Sequence, residues 1–172
     1  MNTNEMKKKV KWDVLLAALL IPLFVGVFSA YLTNEDMKLY GSFNHPVLAP
    51  PAWVFPIVWT ILYVMMGVAS YQVYMADAGR DEKNKALQFY AGQLAMNLFW
   101  STLFFTYKRY LLSLIWLLIM WVMVMICAAR FLRIRRAAGI MMGVLFLWTT
   151  FAAYLNLAYY VMSITPAAAS AL

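Results

Sequence analysis

The chain has 172 residues, 65% of them hydrophobic and 12% charged, with 14 Lys and Arg against 7 Asp and Glu for a formal net charge of +7. That balance excludes an ordinary water-soluble domain, in which about a quarter of the residues are charged. One cysteine and one histidine exclude a disulfide framework and a metal centre built from three or four His, Cys, Asp and Glu ligands inside a membrane.

The charges are bunched, and between them lie five uncharged stretches: Val14 to Tyr31, Leu39 to Ala76, Ala86 to Tyr107, Tyr110 to Ala129 and Ala137 to Leu172. Each can supply the roughly 20 residues that cross a hydrocarbon core about 30 Å thick. The sequence therefore predicts an all-α membrane protein, a five-transmembrane-helix bundle forming one domain over 1–172. The helices are expected at about 12–31, 52–76, 86–105, 111–129 and 139–162.

The first stretch follows Lys7, Lys8, Lys9 and Lys11. A cleaved signal peptide is the alternative to a retained helix there, but the apolar run is long for a signal and Val27 with Ser29 makes a weak cleavage site. Pro22 predicts a kink. The connection 32–51 is long for a compact bundle and reads as a lid over its outer mouth; it holds Tyr40, Phe43, His45, Pro46 and the pair Pro50 and Pro51. His45 reads as a surface histidine before Pro46, with an axial haem role as the alternative.

Helix 2 carries the most informative pattern. Phe55, Trp59 and Tyr63 recur every four residues, and Met66 and Gly67 continue that face. A span that only meets lipid needs no such stack of rings, so the stripe beside a glycine suggests a slot for a flat ligand; plain helix packing is the competing reading. The cluster Asp77 to Lys85 reads as a solvated inner loop.

Helix 3 places Gln93, Asn97, Trp100 and Phe104 on one face, which can donate, accept and stack. Ala91 and Ala95 lie on another face and mark a homodimer contact. Gly26 with Ala30, and Gly139 with Gly143, are similar small pairs. Helix 4 contains Cys127, and Arg130 to Arg136 follows as a headgroup anchor. Helix 5 presents Trp148, Ala152, Leu155 and Tyr159 on one face with Asn156 beside them. Asn97 and Asn156 suit an interhelical hydrogen bond and a ligand contact equally well.

With the N-terminus inside, eleven Lys and Arg fall on the inner side and three, Lys38, Lys108 and Arg109, on the outer. The positive-inside rule then places the C-terminus outside. The basic charge reports topology and contact with anionic membrane lipid, and no nucleic-acid partner is expected. No glycine-rich phosphate loop or nucleophile and base signature occurs.

Three segments, PPAWVFPIVWTILYVMMGVASY from Pro50, YAGQLAMNLFWSTLFF from Tyr90 and LWTTFAAYLN from Leu147, together resemble the TspO/MBR family of tryptophan-rich sensory and translocator proteins. The resemblance spans all five predicted helices. It implies a five-helix bundle, usually dimeric, that binds porphyrins such as protoporphyrin IX, haem, cholesterol and benzodiazepine-site drugs, with no required cofactor. Position by position it implies a ligand-binding set of Tyr40, Phe55, Trp59, Tyr63, Gln93, Asn97, Trp100, Trp148, Ala152 and Leu155. Trp59 and Trp148 match the tryptophans implicated in the family's light-dependent porphyrin breakdown, and so form the catalytic pair if the chain is an enzyme. The sequence departs from the family pattern at Leu48, where many relatives have Trp, and at Trp116, where they carry an acidic residue. No Lys or Arg follows Tyr159 or Tyr160, which lowers the expectation of sterol binding.

Three functions follow in order: a receptor or sensor that binds a tetrapyrrole, an enzyme that degrades protoporphyrin IX in light and oxygen, and a tetrapyrrole or sterol carrier. The absence of a charged relay or an internal repeat with broken helices places the carrier last. Basic loops and the lack of a transit peptide fit a bacterial cell membrane.

Overall fold

A backbone in hydrocarbon has no water to satisfy its N–H and C=O groups, so uncharged stretches of this length fold as helices. A computed structural model describes residues 10–39 and 45–165, and all regular elements among them are helical. These are α1 (Trp12–Leu39), α2 (Val54–Met75), α3 (Arg80–Ser101) running into a π-helical turn (Thr102–Thr106), α4 (Tyr110–Ile134) and α5 (Arg136–Ile164). Trp12–Glu35 of α1 and the whole of α2, α4 and α5 are long and apolar enough to cross a membrane. Helix α3 falls short of that composition: charged residues from Arg80 to Lys85 occupy its start, and Gln88, Gln93 and Asn97 lower the hydropathy of the rest.

Helix α2 is slightly shorter than expected, and the other helices run past their expected ends. Helix α1 continues past Tyr31 to Leu39, so the connection to α2 is shorter than the predicted 32–51. The supposed inner loop 77–85 is mostly the first turns of α3, and only residues 76–79 connect the two helices. Helices α4 and α5 extend until a single residue, Arg135, breaks them with extended backbone at φ −149° and ψ 112°. Charge marks where a helix leaves the hydrocarbon, not where its hydrogen bonding stops. At α3, Gly79 sits at the N-cap and Asp81 and Glu82 in the first turn suit the positive end of the helix dipole.

The core runs through α2, α4 and α5, where Leu62, Met66, Val73, Leu117, Met120, Val124, Phe131, Met142 and Leu145 are fully or almost fully buried. Helix α1 is different. It packs on α2, α3 and the π-turn, while Leu16, Leu20, Ile21 and Phe24 point outward as expected of a lipid-facing surface. Its close approach to α2 depends on Gly67, where an added Cβ would lie 2.7 Å from the Ala18 carbonyl oxygen and 2.9 Å from Leu19 Cα. Gly67 therefore serves helix packing and does not open the ligand slot that the stripe on helix 2 suggested.

The π-turn has a specific consequence. Tyr107 N–H bonds back to the Thr102 carbonyl at 3.1 Å, five residues away, and the widened turn keeps the consecutive residues Phe104 and Phe105 both buried. Their rings meet edge to face at 4.9 Å.

Candidate ligand-binding site

A cavity of about 520 Å³ opens between α1, α2 and the end of α3, a size typical of small-molecule pockets. Phe55, Trp59 and Tyr63 from α2 form one wall. Asn97, Trp100, Ser101 and Phe105 form the floor, and Gly26, Ser29, Ala30, Thr33 and Asn34 of α1 form the opposite side. Ala52 and Trp53 line it from the α2 entry. The lining contains no charged residue.

The aromatic wall is a connected assembly. The Trp59 ring lies 5.6 Å from Tyr63, 6.3 Å from Trp100 and 6.5 Å from Trp148, the last nearly perpendicular at 88°. Phe55 bridges Phe105 and Trp148 at 6.3 Å each. Such offset and edge-to-face contacts fix ring planes as well as ring positions.

Polar groups are placed with equal definition. Tyr63 donates its hydroxyl to Asn97 Oδ1 at 3.0 Å, which leaves the buried Asn97 Nδ2 without a partner at the cavity. Ser29 and Ser101 bond hydroxyl to hydroxyl at 2.5 Å across α1 and α3, and Thr33 returns its hydroxyl to the Ser29 carbonyl. Gly26 gives the Tyr63 ring its place, since a Cβ there would collide with Tyr63 Cε2 and Cδ2.

Of the residues expected from the sequence, Phe55, Trp59, Tyr63, Asn97 and Trp100 converge on this cavity. Trp148 stands behind Trp59 and Phe55, with its buried Nε1 lacking a hydrogen-bond partner. Ala152 and Leu155 are buried in the core and do not line the cavity. Gln93 is wholly buried on α3 and reaches Met66 Sδ at 3.5 Å, away from the lining. Tyr40 and Phe43 lie outside the described residues. Asn156 takes the interhelical role: it accepts from Trp100 Nε1 at 3.2 Å and donates to the Tyr110 carbonyl at 2.8 Å.

The α1 wall was missed by sequence reasoning. Its signal was present, because Gly26, Ser29, Ala30 and Thr33 share one helical face. An expected helix end at Tyr31 divided that face and hid the pattern. Trp116, where an acidic residue was expected from the resemblance, instead ties α4 to α3 by donating to the Met96 carbonyl at 2.8 Å.

The fold and cavity define a helical integral membrane protein with an aromatic-walled cavity. A profile of the TspO/MBR family matches residues 18–162, and the chain belongs to that family. It is 32% identical over 147 residues to the tryptophan-rich protein TspO of Chlorobaculum tepidum, covering 84% of this chain and 93% of that protein. It is 37% identical over 117 residues to the tryptophan-rich sensory protein of Cereibacter sphaeroides, covering 68% and 72%. The translocator protein of Bos taurus is 31% identical over 147 residues, covering 84% and 87%.

Proposed function

We propose that this protein is a membrane receptor or sensor for flat, largely apolar ligands, with porphyrins such as protoporphyrin IX and haem foremost and benzodiazepine-site drugs beside them. The observation that carries the reading is the cavity walled by Phe55, Trp59, Tyr63 and Trp100, because stacked rings offer a ligand a broad polarizable surface. Asn97 Nδ2 supplies a buried donor for a ligand oxygen.

A second reading, light- and oxygen-dependent breakdown of bound protoporphyrin IX, is favoured by one observation: Trp59 has Trp100 and Trp148 within ring-contact distance. An indole beside a photoexcited macrocycle is an electron donor, and the protein's part is to hold it there and limit bulk water.

Membrane placement belongs to the same proposal. Residues 86–107 are uncharged and would extend about 33 Å as a helix, so α3 and its π-turn form a fifth span. With five spans, eleven inner and three outer basic residues support an N-terminus inside and a C-terminus outside, and the basic loops fit a bacterial cell membrane. Ala91 and Ala95 are exposed on α3, in line with Phe99, and this small-residue stripe supports a homodimer.

The test is a dark, anaerobic titration of protoporphyrin IX into the purified protein, read by tryptophan quenching, followed by illumination in air. Saturable quenching that is lost on replacing Trp59 and Trp148 by Phe supports the receptor. A new chromophore that forms only after illumination moves the reading to the enzyme. Non-saturating quenching, identical in the double variant, rejects both.

A further inference from the structure

Outside the cavity, one buried phenol is paired with a base in a way that helix packing does not require. Tyr159, near the end of α5, is 6% exposed, and its hydroxyl lies 2.8 Å from Nδ1 of His45 in the loop before α2. His45 itself is exposed. A tyrosine can give up an electron at modest driving force only if its phenolic proton leaves at the same time, because the protonated phenol radical is a very strong acid. A neutral imidazole at hydrogen-bond distance is the side chain suited to receive that proton near neutral pH, and an exposed imidazole can pass it to water.

The aromatic side chains between this pair and the cavity are continuous. Trp59 and Trp100 have ring centroids 6.3 Å apart, Trp100 stacks on Phe104 at 5.6 Å, and Phe104 meets Tyr159 at 5.3 Å. Asn156, one turn before Tyr159 on α5, also holds Trp100 by accepting its Nε1–H. Trp59 and Trp100 are oxidisable, Phe104 is a bridge, and Tyr159 is the first residue along this line that has its own proton acceptor.

We propose that Tyr159 and His45 form an electron and proton donor that refills the cavity tryptophans after a photoexcited tetrapyrrole has oxidised one of them. The proposal rests on a light-absorbing ligand occupying the cavity. Trp59 gives one electron to the excited ligand, and molecular oxygen takes that electron on as superoxide. Trp100 restores Trp59, and Tyr159 restores Trp100 through Phe104. The Tyr159 O–H bond breaks as its proton moves to His45 Nδ1. The products are neutral tryptophans, a tyrosyl radical, an imidazolium and superoxide. For one photo-oxidation the pair would spare Trp59 from irreversible damage, with the oxidising equivalent left on Tyr159.

The test uses the full chain in detergent with protoporphyrin IX, after dark titration has established whether it binds. Samples are illuminated in air, frozen and read by electron paramagnetic resonance, with and without ring-deuterated tyrosine. The expected result is a radical whose spectrum narrows on tyrosine deuteration and is absent in Tyr159→Phe. In His45→Gln, which keeps a hydrogen-bonding side chain but no comparable base, its yield falls roughly tenfold or more at unchanged porphyrin affinity. A radical carried by tryptophan alone, or a tyrosyl signal unchanged in either variant, overturns the relay and leaves the binding site intact. Failure of porphyrin to bind overturns the relay together with the receptor reading.

Discussion

Tyr63 on α2 and Asn97 on α3 meet inside the cavity, the phenol donating to the amide oxygen at 3.0 Å. This contact decides which end of Asn97 is left available at the cavity, because Oδ1 is occupied and Nδ2 remains as a donor. The aromatic wall and the polar recognition group are thus fixed by the same bond.

Tyr63→Phe removes that bond and leaves both ends of the amide unpaired at a buried position. The expected cost is about 1 kcal/mol of bundle stability, in keeping with interhelical hydrogen bonds in membrane proteins. Denaturation in mixed micelles, compared with the parent chain, measures it. An unchanged midpoint would show that Asn97 finds another partner.

Gly26→Ala places a methyl group where the Tyr63 ring lies, so the ring must shift and carry the α2 wall with it. Ligand affinity should fall about tenfold, or 1.4 kcal/mol. Gly143→Ala is the matched control, since nothing lies within 4 Å of the added Cβ there. Equal affinities in the two variants would contradict the packing of Tyr63 on Gly26.

Trp100→Phe deletes the donor to Asn156 but keeps an aromatic ring in the wall. Asn156 retains its bond to the Tyr110 carbonyl, so the loss should be partial, about 0.5–1 kcal/mol. Trp116→Phe should cost a similar amount by freeing the Met96 carbonyl, without affecting ligand affinity, because Trp116 lies outside the cavity lining. Thermal unfolding in detergent and the dark titration separate the two effects. A loss of affinity in Trp116→Phe would place α4 in the site.

Much of this architecture was legible because hydrocarbon permits few solutions for a backbone, and five uncharged stretches therefore read as five helices. Phe55, Trp59, Tyr63, Asn97 and Trp100, which the helical stripes set on facing surfaces, all line one cavity. Helix ends were not legible, since Thr33 and Glu35 in α1 and Arg80 to Lys85 in α3 are polar yet helical. The cost was the α1 wall. The face carrying Ala152 and Leu155, expected to meet a ligand, lies in the core outside this cavity, and a buried aromatic stripe looks the same in sequence whether it meets a ligand or the next helix. Trp148 shows the ambiguity within one residue: it supports Trp59 from behind and does not itself line the cavity.

The most direct test of the site's location compares Ala30→Phe with Ala152→Phe in a dark protoporphyrin IX titration. Ala30 lines the cavity from α1, so a phenyl group there should occupy it and weaken binding about tenfold or more at unchanged stability. Ala152 is packed in the core, so Phe should lower stability by about 1–3 kcal/mol through overpacking while the folded fraction binds with affinity near that of the parent chain. Tenfold weaker binding in Ala152→Phe, with Ala30→Phe unaffected, would contradict this account and move the ligand to the α5 side of Trp59.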